Sequence, residues 1–328
     1  MTDEEILQLL RESPSAFLSG EEISHRLKVS RTAVWKRITH LRALGYEIEA
    51  STRSGYRLVN SPDLLAPWEV QPLLKTKKMG KKIHYFQTLD STNSKAYQLA
   101  LNGAEEGEVV ITESQEKGRG RLERQWFSPP FLNLYLSVIL RPKIPPHQAS
   151  LITLMAAVAA ADAIQKFSGF LPLIKWPNDI LFRDRKVAGL LNEIHSETDR
   201  IHFVILGIGV NLNMGEKMFP KEIRPMATSL MIETRQTISR KAFLQSLLLQ
   251  LEKWYAIFLK QGSTVILKAW RDRAQIKGRR VKVISFGEIW VGMAVDVDSD
   301  GALILETEDG RRKRVVAGDI EYKEKVKS

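Results

Sequence analysis

Five short stretches of this 328-residue chain hold residue types that could do chemistry together. Lys117-Gly118-Arg119-Gly120-Arg121, followed by Arg124 and Trp126-Phe127-Ser128-Pro129, is a basic glycine loop. Glycine lets backbone approach a ligand closely, and arginine offers forked donors to phosphate or carboxylate oxygens. Such loops also occur as solvated or RNA-contacting segments, and this one is no Walker loop, since GxxxxGK[ST] is absent from the sequence. Lys175-Trp176-Pro177-Asn178-Asp179 ends an apolar run; its Asn and Asp are either turn formers or groups that orient a metal-bound triphosphate. Arg185-Lys186-Val187-Ala188-Gly189-Leu190-Leu191 sets a lysine beside small residues that leave room for a ligand. Gly207-Ile208-Gly209-Val210-Asn211-Leu212-Asn213 is too short a glycine pattern for a dinucleotide fingerprint and leads into no helix. Asp90-Ser91-Thr92-Asn93 reads equally well as a plain helix cap.

The elements that must carry these stretches mix strand and helix patterns. Strands are expected at Ile83–Phe86, Val109–Thr112, Asn133–Leu140, Leu173–Trp176, Ile180–Phe182, Val187–Ile194 and Ile201–Ile208. Helices are expected at Ser94–Leu101, Gln148–Phe167 and Arg240–Leu259, with a shorter one near Val265–Asp272. Strands bunch between long helices without strict βαβ alternation, which predicts α+β with a mixed sheet. Beyond Arg273 the pattern turns all-β: Val281–Ile284, Ile289–Asp296, Leu303–Glu306 and Arg312–Val316, split by glycine turns, suggest a small SH3-like β-barrel over residues 274–328. Residues 83–273 then form the central domain. Ser61-Pro62 and Ala66-Pro67 punctuate a linker at 66–82, with one short helix around Trp68–Leu74 and a basic stretch at Lys75–Lys82.

Residues 1–65 have a different pattern. Thr2 with Glu5, and Ser19 with Glu22, have capping-box spacing, and Ser30 is placed to cap a third helix that stops at Gly45. Val34, Ile38 and Leu41 form that helix's apolar stripe; Arg31, Thr32, Trp35 and Lys36 lie opposite, near its start, where a recognition helix presents groups to base edges. Alternation from Tyr46, a turn at Arg53-Ser54-Gly55 and a return at Tyr56 and Leu58 add a hairpin, and three helices plus a basic hairpin resemble the winged helix-turn-helix, although such units also serve protein contacts. Residues 25–57 hold eight basic side chains against Glu47 and Glu49, the charge distribution of a phosphate-contacting surface. Ser30, Arg31, Thr32, Trp35, Lys36 and Arg53 are the expected DNA contacts.

Composition narrows the class further. A 44% hydrophobic, 27% charged chain is a globular one, and a net charge of +11 fits an anionic partner. Without cysteine there is no disulfide framework, thiolate metal site or cysteine nucleophile. The opening MTDEEILQLL is acidic then amphipathic, unlike a secretory signal, and Ala149–Ala161 is too short an apolar run to span a bilayer, so a cytoplasmic protein without a membrane partner is expected.

Taken together and in order, GRGR…WFSP, KWPND, RKVAG and GIGVN, with STN upstream and Ala227-Thr228-Ser229-Leu230 downstream, resemble the biotin–protein ligases over residues 83–322. With the N-terminal module the chain resembles the bifunctional type, both ligase and repressor of biotin-synthesis genes. The resemblance implies formation of biotinyl-5'-AMP from biotin and ATP, with magnesium, and transfer to a lysine of the biotin carboxyl carrier protein of acetyl-CoA carboxylase. It implies operator DNA as a second partner and a ligand-promoted homodimer. By the same resemblance Ser91, Thr92, Asn93, Gln115, Gly118, Arg119, Lys186 and Gly189 would bind biotin. Arg121, Arg124, Trp126, Asn178, Lys186 and Asn211 would bind ATP or adenylate. Lys186, Arg119 and Arg121 would carry the catalytic charge, and no side chain is assigned as a metal ligand. Two other readings stay open: a lipoate or octanoate ligase, and a ligand-sensing transcription factor without turnover. In one place the chain departs from the family pattern, since Glu123 stands where a glycine is usual.

Overall fold

The computed structural model describes residues 2–285 and 287–322, so the last six residues of the expected C-terminal domain, 323–328, lie outside the described set. The chain divides into two compact units, Met1–Leu64 and Leu65–Ser328.

The first unit contains α1 (Asp3–Glu12), α2 (Gly20–Leu27), α3 (Arg31–Ala43) and the hairpin β1 (Glu47–Ser51) and β2 (Gly55–Asn60). The capping box at Thr2 forms in both directions, whereas at Ser19 the hydroxyl accepts the Glu22 amide without a reciprocal bond among the described residues. Ser30 accepts from Ala33 N at 3.2 Å and starts α3. Ile6, Leu7, Leu10, Ile23, Val34, Ile38 and Leu41 are all but fully buried and form the core between the three helices. Leu18 exchanges two backbone hydrogen bonds with Tyr56, adding a third short strand to the wing. That approach requires Gly55: it sits at φ +102°, and a Cβ there would lie 2.0 Å from Leu18 O.

The second unit is built on a seven-stranded mixed sheet. In chain order it contains α4 (Pro67–Val70), β3 (Ile83–Leu89), α5 (Thr92–Leu101), β4 (Val109–Gln115), β5 (Leu134–Leu140), α6 (Ser150–Ser168), β6 (Leu173–Lys175), β7 (Asp179–Phe182), β8 (Arg185–Ser196), β9 (Ile201–Val210), α7 (Leu230–Thr234), α8 (Arg240–Gln261) and α9 (Ser263–Ala274). The strand order is β3-β4-β5-β9-β8-β7-β6, with β3 and β4 parallel and every other neighbour antiparallel. Alternation sorts the side chains. Leu134, Leu136, Val138, Val204, Leu206 and Ile208 belong to the core that includes α6, α8 and α9. Val110, Ile139, Phe203 and Ile205 pack with Ala96 and Ala100 of α5 on the opposite face.

α6 is apolar almost all round, and together with the turn from Pro146 it is long and apolar enough to cross a membrane. The run expected to be too short, Ala149–Ala161, is prolonged by helix as far as Ser168, and about two thirds of the apolar window is buried in the fold, as a core helix requires. Residues 66–82, read as a linker, run along the unit: Leu65, Ala66 and Val70 are fully buried, and the Glu252 carboxylate accepts from the amides of Lys77, Lys78 and Met79. Leu65 N donates to Glu113, whose other oxygen meets Arg240 at 2.5 Å in a fully buried ion pair.

The chain ends in β10 (Arg279–Ser285), β11 (Glu288–Val297), β12 (Leu303–Thr307), β13 (Arg312–Val315) and β14 (Asp319–Tyr322). Four of these match the expected strands, and β14 was not foreseen. The order is β13-β12-β11-β10-β14, all antiparallel, and among the described residues no backbone pairing joins β13 to β14 to close a barrel. Val281, Val283, Leu303, Leu305 and Ile320 enter the same core as α6 and α9.

Candidate functional site

The site lies on the α5 face of the seven-stranded sheet, where the side chains become small. Gly189 on β8 pairs with Gly209 on β9, and Gly207 pairs with Leu191. A Cβ at Gly209 would lie 2.5 Å from the Trp126 indole, and one at Gly207 would lie 2.1 Å from Asn93 Oδ1. The glycines therefore clear a floor on which Trp126 and Asn93 rest. The cavity above it measures about 370 Å³ and is bounded by α5, the strand ends and the 117–127 loop.

Ser91, Thr92, Asn93, Gln115, Arg119, Lys186 and Gly189 line this cavity, and so do Arg121, Arg124, Trp126, Asn178 and Asn211. Gly118 does not. It sits at the neck of the loop, where a Cβ would meet Trp126 O at 2.4 Å and Gln115 Nε2 at 2.9 Å. The neck is closed by Trp126 N donating to Gly118 O (2.8 Å) and Gly120 N donating to Arg124 O (2.7 Å). At the loop's tip Leu122 and Glu123 have φ of 53° and 58°, so the position where the family pattern has glycine is left-handed backbone here.

Ser91 stands at the N-cap position of α5 but makes no capping bond, so the plain helix-cap reading of Asp90–Asn93 fails and the hydroxyl is left for the cavity. Thr92 N donates to Gln115 Oε1 (2.9 Å), and Gln115 Nε2 donates to Ser128 Oγ (3.0 Å). Ser137 Oγ lies 2.8 Å from Thr92 Oγ1 and 2.5 Å from Asn93 Oδ1. Asn178 Nδ2 donates to Leu190 O (2.7 Å) and Asn211 Nδ2 to Thr228 O (3.0 Å), so both buried amides are oriented by backbone carbonyls, one on β8 and one in the segment before α7.

Arg119, Arg121, Arg124 and Lys186 are each paired with an acid. Lys186 Nζ is 2.6 Å from Asp179 Oδ1 and lies 5.3 Å from the Trp126 ring centre. Arg124 is 2.6 Å and Arg121 3.6 Å from Asp319, the first residue of β14, and Arg121 also donates to Gly318 O (2.9 Å). Burial lowers the Arg121 pKa, with Asp319 and Asp179 opposing. At these two acids the contact is one of charge, without an aligned hydrogen bond to Asp179 Oδ1 or Asp319 Oδ2. Arg119 instead donates to both oxygens of Glu193 at 3.1 Å. Asp319, Glu193, Ser137 and Tyr135 were not named from the sequence. Each is a single residue in a strand, and only strand alternation could have placed the last three on the cavity face.

In the N-terminal unit Ser30, Arg31, Thr32, Trp35, Lys36 and Arg53 are all exposed, Trp35 at 57%. The charge count of the sequence reading overstates what is free there. Arg26 pairs with Glu12, Arg37 with Asp3 and Arg57 with Glu49, and Arg42 donates to Ile48 O. Lys28, Arg31, Lys36 and Arg53 have no ion pair among the described residues.

Comparison with known proteins agrees with this architecture. Residues 85–211 match the Biotin/lipoate A/B protein ligase family, residues 3–57 an HTH domain and residues 277–322 the Biotin protein ligase C terminal domain. The bifunctional ligase/repressor BirA of Bacillus subtilis is 40% identical over 317 residues, 97% of each chain. The protein of the same name from Escherichia coli is 30% identical over 305 residues, 93% of this chain and 92% of its own. The structure of the biotin protein ligase from Aquifex aeolicus in complex with biotin and ATP superposes with a TM-score of 0.65 at 26% identity, covering 75% of this chain and 100% of that one.

Proposed function

The chain belongs to the bifunctional biotin–protein ligase/repressor family, and from that premise we propose how its own residues carry out the two activities. It is an AMP-forming biotin–protein ligase that also binds DNA as a repressor. The observation that carries the reading is the convergence of Arg119, Arg121, Arg124 and Lys186 on one cavity with a polar floor. A carboxylate and a triphosphate repel each other, so their reaction needs fixed positive charge between them. Lys186 and Arg119 lie along the biotin carboxylate, and Arg121 and Arg124 take the phosphates. Trp126 offers a flat face to adenine. Thr92, Gln115 and Ser91 meet the ureido ring, and Asn178 and Asn211, already oriented by backbone carbonyls, direct the nucleotide.

No group of three potential metal-ligating side chains occurs among the described residues. The cavity's acids Asp179 and Asp319 are engaged with cations. This suits magnesium, which keeps its waters and binds through substrate phosphates with one or two carboxylates. Bound there, magnesium would neutralise the triphosphate, while Lys186 stabilises charge developing on the α-phosphate. A biotin carboxylate oxygen attacks the α-phosphorus as the bond to pyrophosphate breaks, and the neutral ε-amine of a carrier lysine then attacks the carbonyl of this mixed anhydride, giving the biotinyl amide, AMP and a proton released to solvent. No enzyme nucleophile takes part.

On the DNA side, Ser30, Arg31, Thr32, Trp35 and Lys36 enter the major groove and Arg53 on the wing meets the backbone, with biotin-synthesis operators as targets. Bound adenylate orders the arginine loop and favours a homodimer that spans two half-sites, a population shift driven by ligand. The carrier is the biotin carboxyl carrier protein of acetyl-CoA carboxylase, which consumes the adenylate and so opposes repression. ATP, DNA and carrier meet in the cytoplasm.

The functional division is placed at residue 65, with catalysis in 83–273 assisted by the C-terminal sheet. Truncation tests it, but the cut belongs before Leu65. Removal through Pro67 would unseat Leu65 and Ala66 from the core and strip a partner from buried Glu113. Calorimetry with biotin, then pyrophosphate release on adding ATP and magnesium, tests the ligase. One pyrophosphate per chain, with turnover only when carrier is added, supports it. Binding without release indicates a sensor, and failure to bind biotin sends the specificity to lipoate.

A further inference from the structure

We infer that Glu193 is a positioning residue for biotin, fixing both the guanidinium of Arg119 and the hydrogen-bond polarity of the cavity floor. This rests on the ligase reading and adds to it a residue outside every recognised motif. Glu193 lies on β8 opposite Ile205, on the α5 face of the sheet, with its side chain 29% exposed. Its Oε2 accepts from Asn93 Nδ2 at 2.7 Å, and both its oxygens accept from Arg119 NH2 at 3.1 Å. Both partners are donors, and an ionised carboxylate is an acceptor only, so the residue type matches the demand.

The consequence passes inward. Asn93 is 3% exposed and spends its amide nitrogen on Glu193 and on Leu191 O (3.3 Å). That leaves its Oδ1 turned to Ser137 Oγ, 2.5 Å away, and Ser137 must donate its single proton there. With that proton committed to Asn93, Ser137 Oγ meets Thr92 Oγ1, 2.8 Å distant, as an acceptor, and the single Thr92 hydroxyl proton is shared between Ser137 and Gln115 Oε1 at 3.2 Å. One carboxylate at the cavity edge therefore dictates which floor groups give and which receive hydrogen bonds. A ligand with a fixed donor and acceptor pattern, such as a cyclic urea, reads that polarity. Arg119 gains in a second way: its side chain is 46% exposed on a loop, and without Glu193 it would have to be ordered by biotin alone.

Glutamine at 193 keeps size and shape but brings an amide group that faces two donors, and it lets Asn93 flip and the floor reverse. The test compares Glu193→Gln and Glu193→Ala with the unsubstituted full-length chain. The measurements are biotin calorimetry, KM for ATP, kcat with carrier, and thermal melting. Both variants are expected to bind biotin about tenfold more weakly, the loss of roughly one charge-assisted hydrogen bond. KM for ATP is expected to stay within about twofold and the Gln variant's melting point within about 2 °C, because the fold is not what the residue serves. If the Ala variant does not fold, the isosteric Gln variant decides. Biotin affinity within about twofold of the unsubstituted chain in Glu193→Gln overturns the inference while leaving the ligase reading intact. A general fall in melting point, ATP and biotin binding together makes Glu193 merely structural and also overturns it. If the unsubstituted chain binds no biotin, the ligase reading fails first and this inference with it.

Discussion

The cations of the proposed ligand cavity and those of the proposed DNA-reading face are handled in opposite ways. In the cavity Arg119, Lys186, Arg121 and Arg124 are all paired with strand acids: Glu193 for Arg119, Asp179 for Lys186, and Asp319 shared by Arg121 and Arg124. On α3 and the wing, Arg31, Lys36 and Arg53 point outward without an ion pair among the described residues, while Arg37, Arg42 and Arg57 are used to hold the unit together. A small ligand must be met by charges already in place, and a counter-charge fixes a long side chain before the ligand arrives. A phosphate backbone is met across a broad surface by charges that act through released counterions, and pre-pairing them would weaken that attraction.

The largest test of this contrast is Lys186→Ala. It removes charge at the α-phosphate and leaves Asp179 unpaired, and pyrophosphate release is expected to fall about a thousandfold with the fold retained. A loss under about tenfold would mean that the paired lysine is structural. Next comes Asp319→Ala, which frees Arg121 and Arg124. KM for ATP is expected to rise about tenfold, through lost ordering and not through lost contact with the reacting atoms. An unchanged KM would show that pairing is incidental there. Arg53→Ala should weaken operator and non-operator DNA alike by a few-fold and lower the salt slope by about one, with ligase turnover unchanged. A base-specific loss would mean that Arg53 reads sequence and does not simply meet phosphate. The smallest effect is expected at Glu123→Gly. Glycine accepts φ near 58° without strain but frees the unfolded loop, so stability should move by less than about 1 kcal/mol and adenylate should leave about twofold faster. An unchanged off-rate would make Glu123 a bystander.

The sequence motifs made most of the cavity legible because they are contiguous at strand ends, where the chain must turn and can present several groups at once. Twelve of the thirteen cavity residues named from the sequence line it, and Gly118 serves the loop's neck instead. What stayed hidden was the counter-charge. Glu193 and Asp319 are lone acids in strands, and only the register that pairs β8 with β9, or the order that seats β14 beside β10, brings them to the arginines. The docking of residues 66–82 was hidden for a similar reason, since Lys77 and Glu252 are 175 positions apart and meet only in the fold. The β14 strand is four residues long with a single buried apolar side chain, Ile320, too little alternation to announce itself.

Trp126 has an optical consequence. Its indole lies across Gly189 and Gly209, with the Lys186 ammonium nearby and a buried N–H that has no hydrogen-bond partner among the described residues. A ring in that setting emits at a wavelength and intensity set by the charge and dryness around it. Any ligand that draws Lys186 away or covers the ring changes both. The chain thus carries its own fluorescent indicator of occupancy, and Trp126→Phe should silence the ligand-induced part of the signal while the other six tryptophans continue to emit.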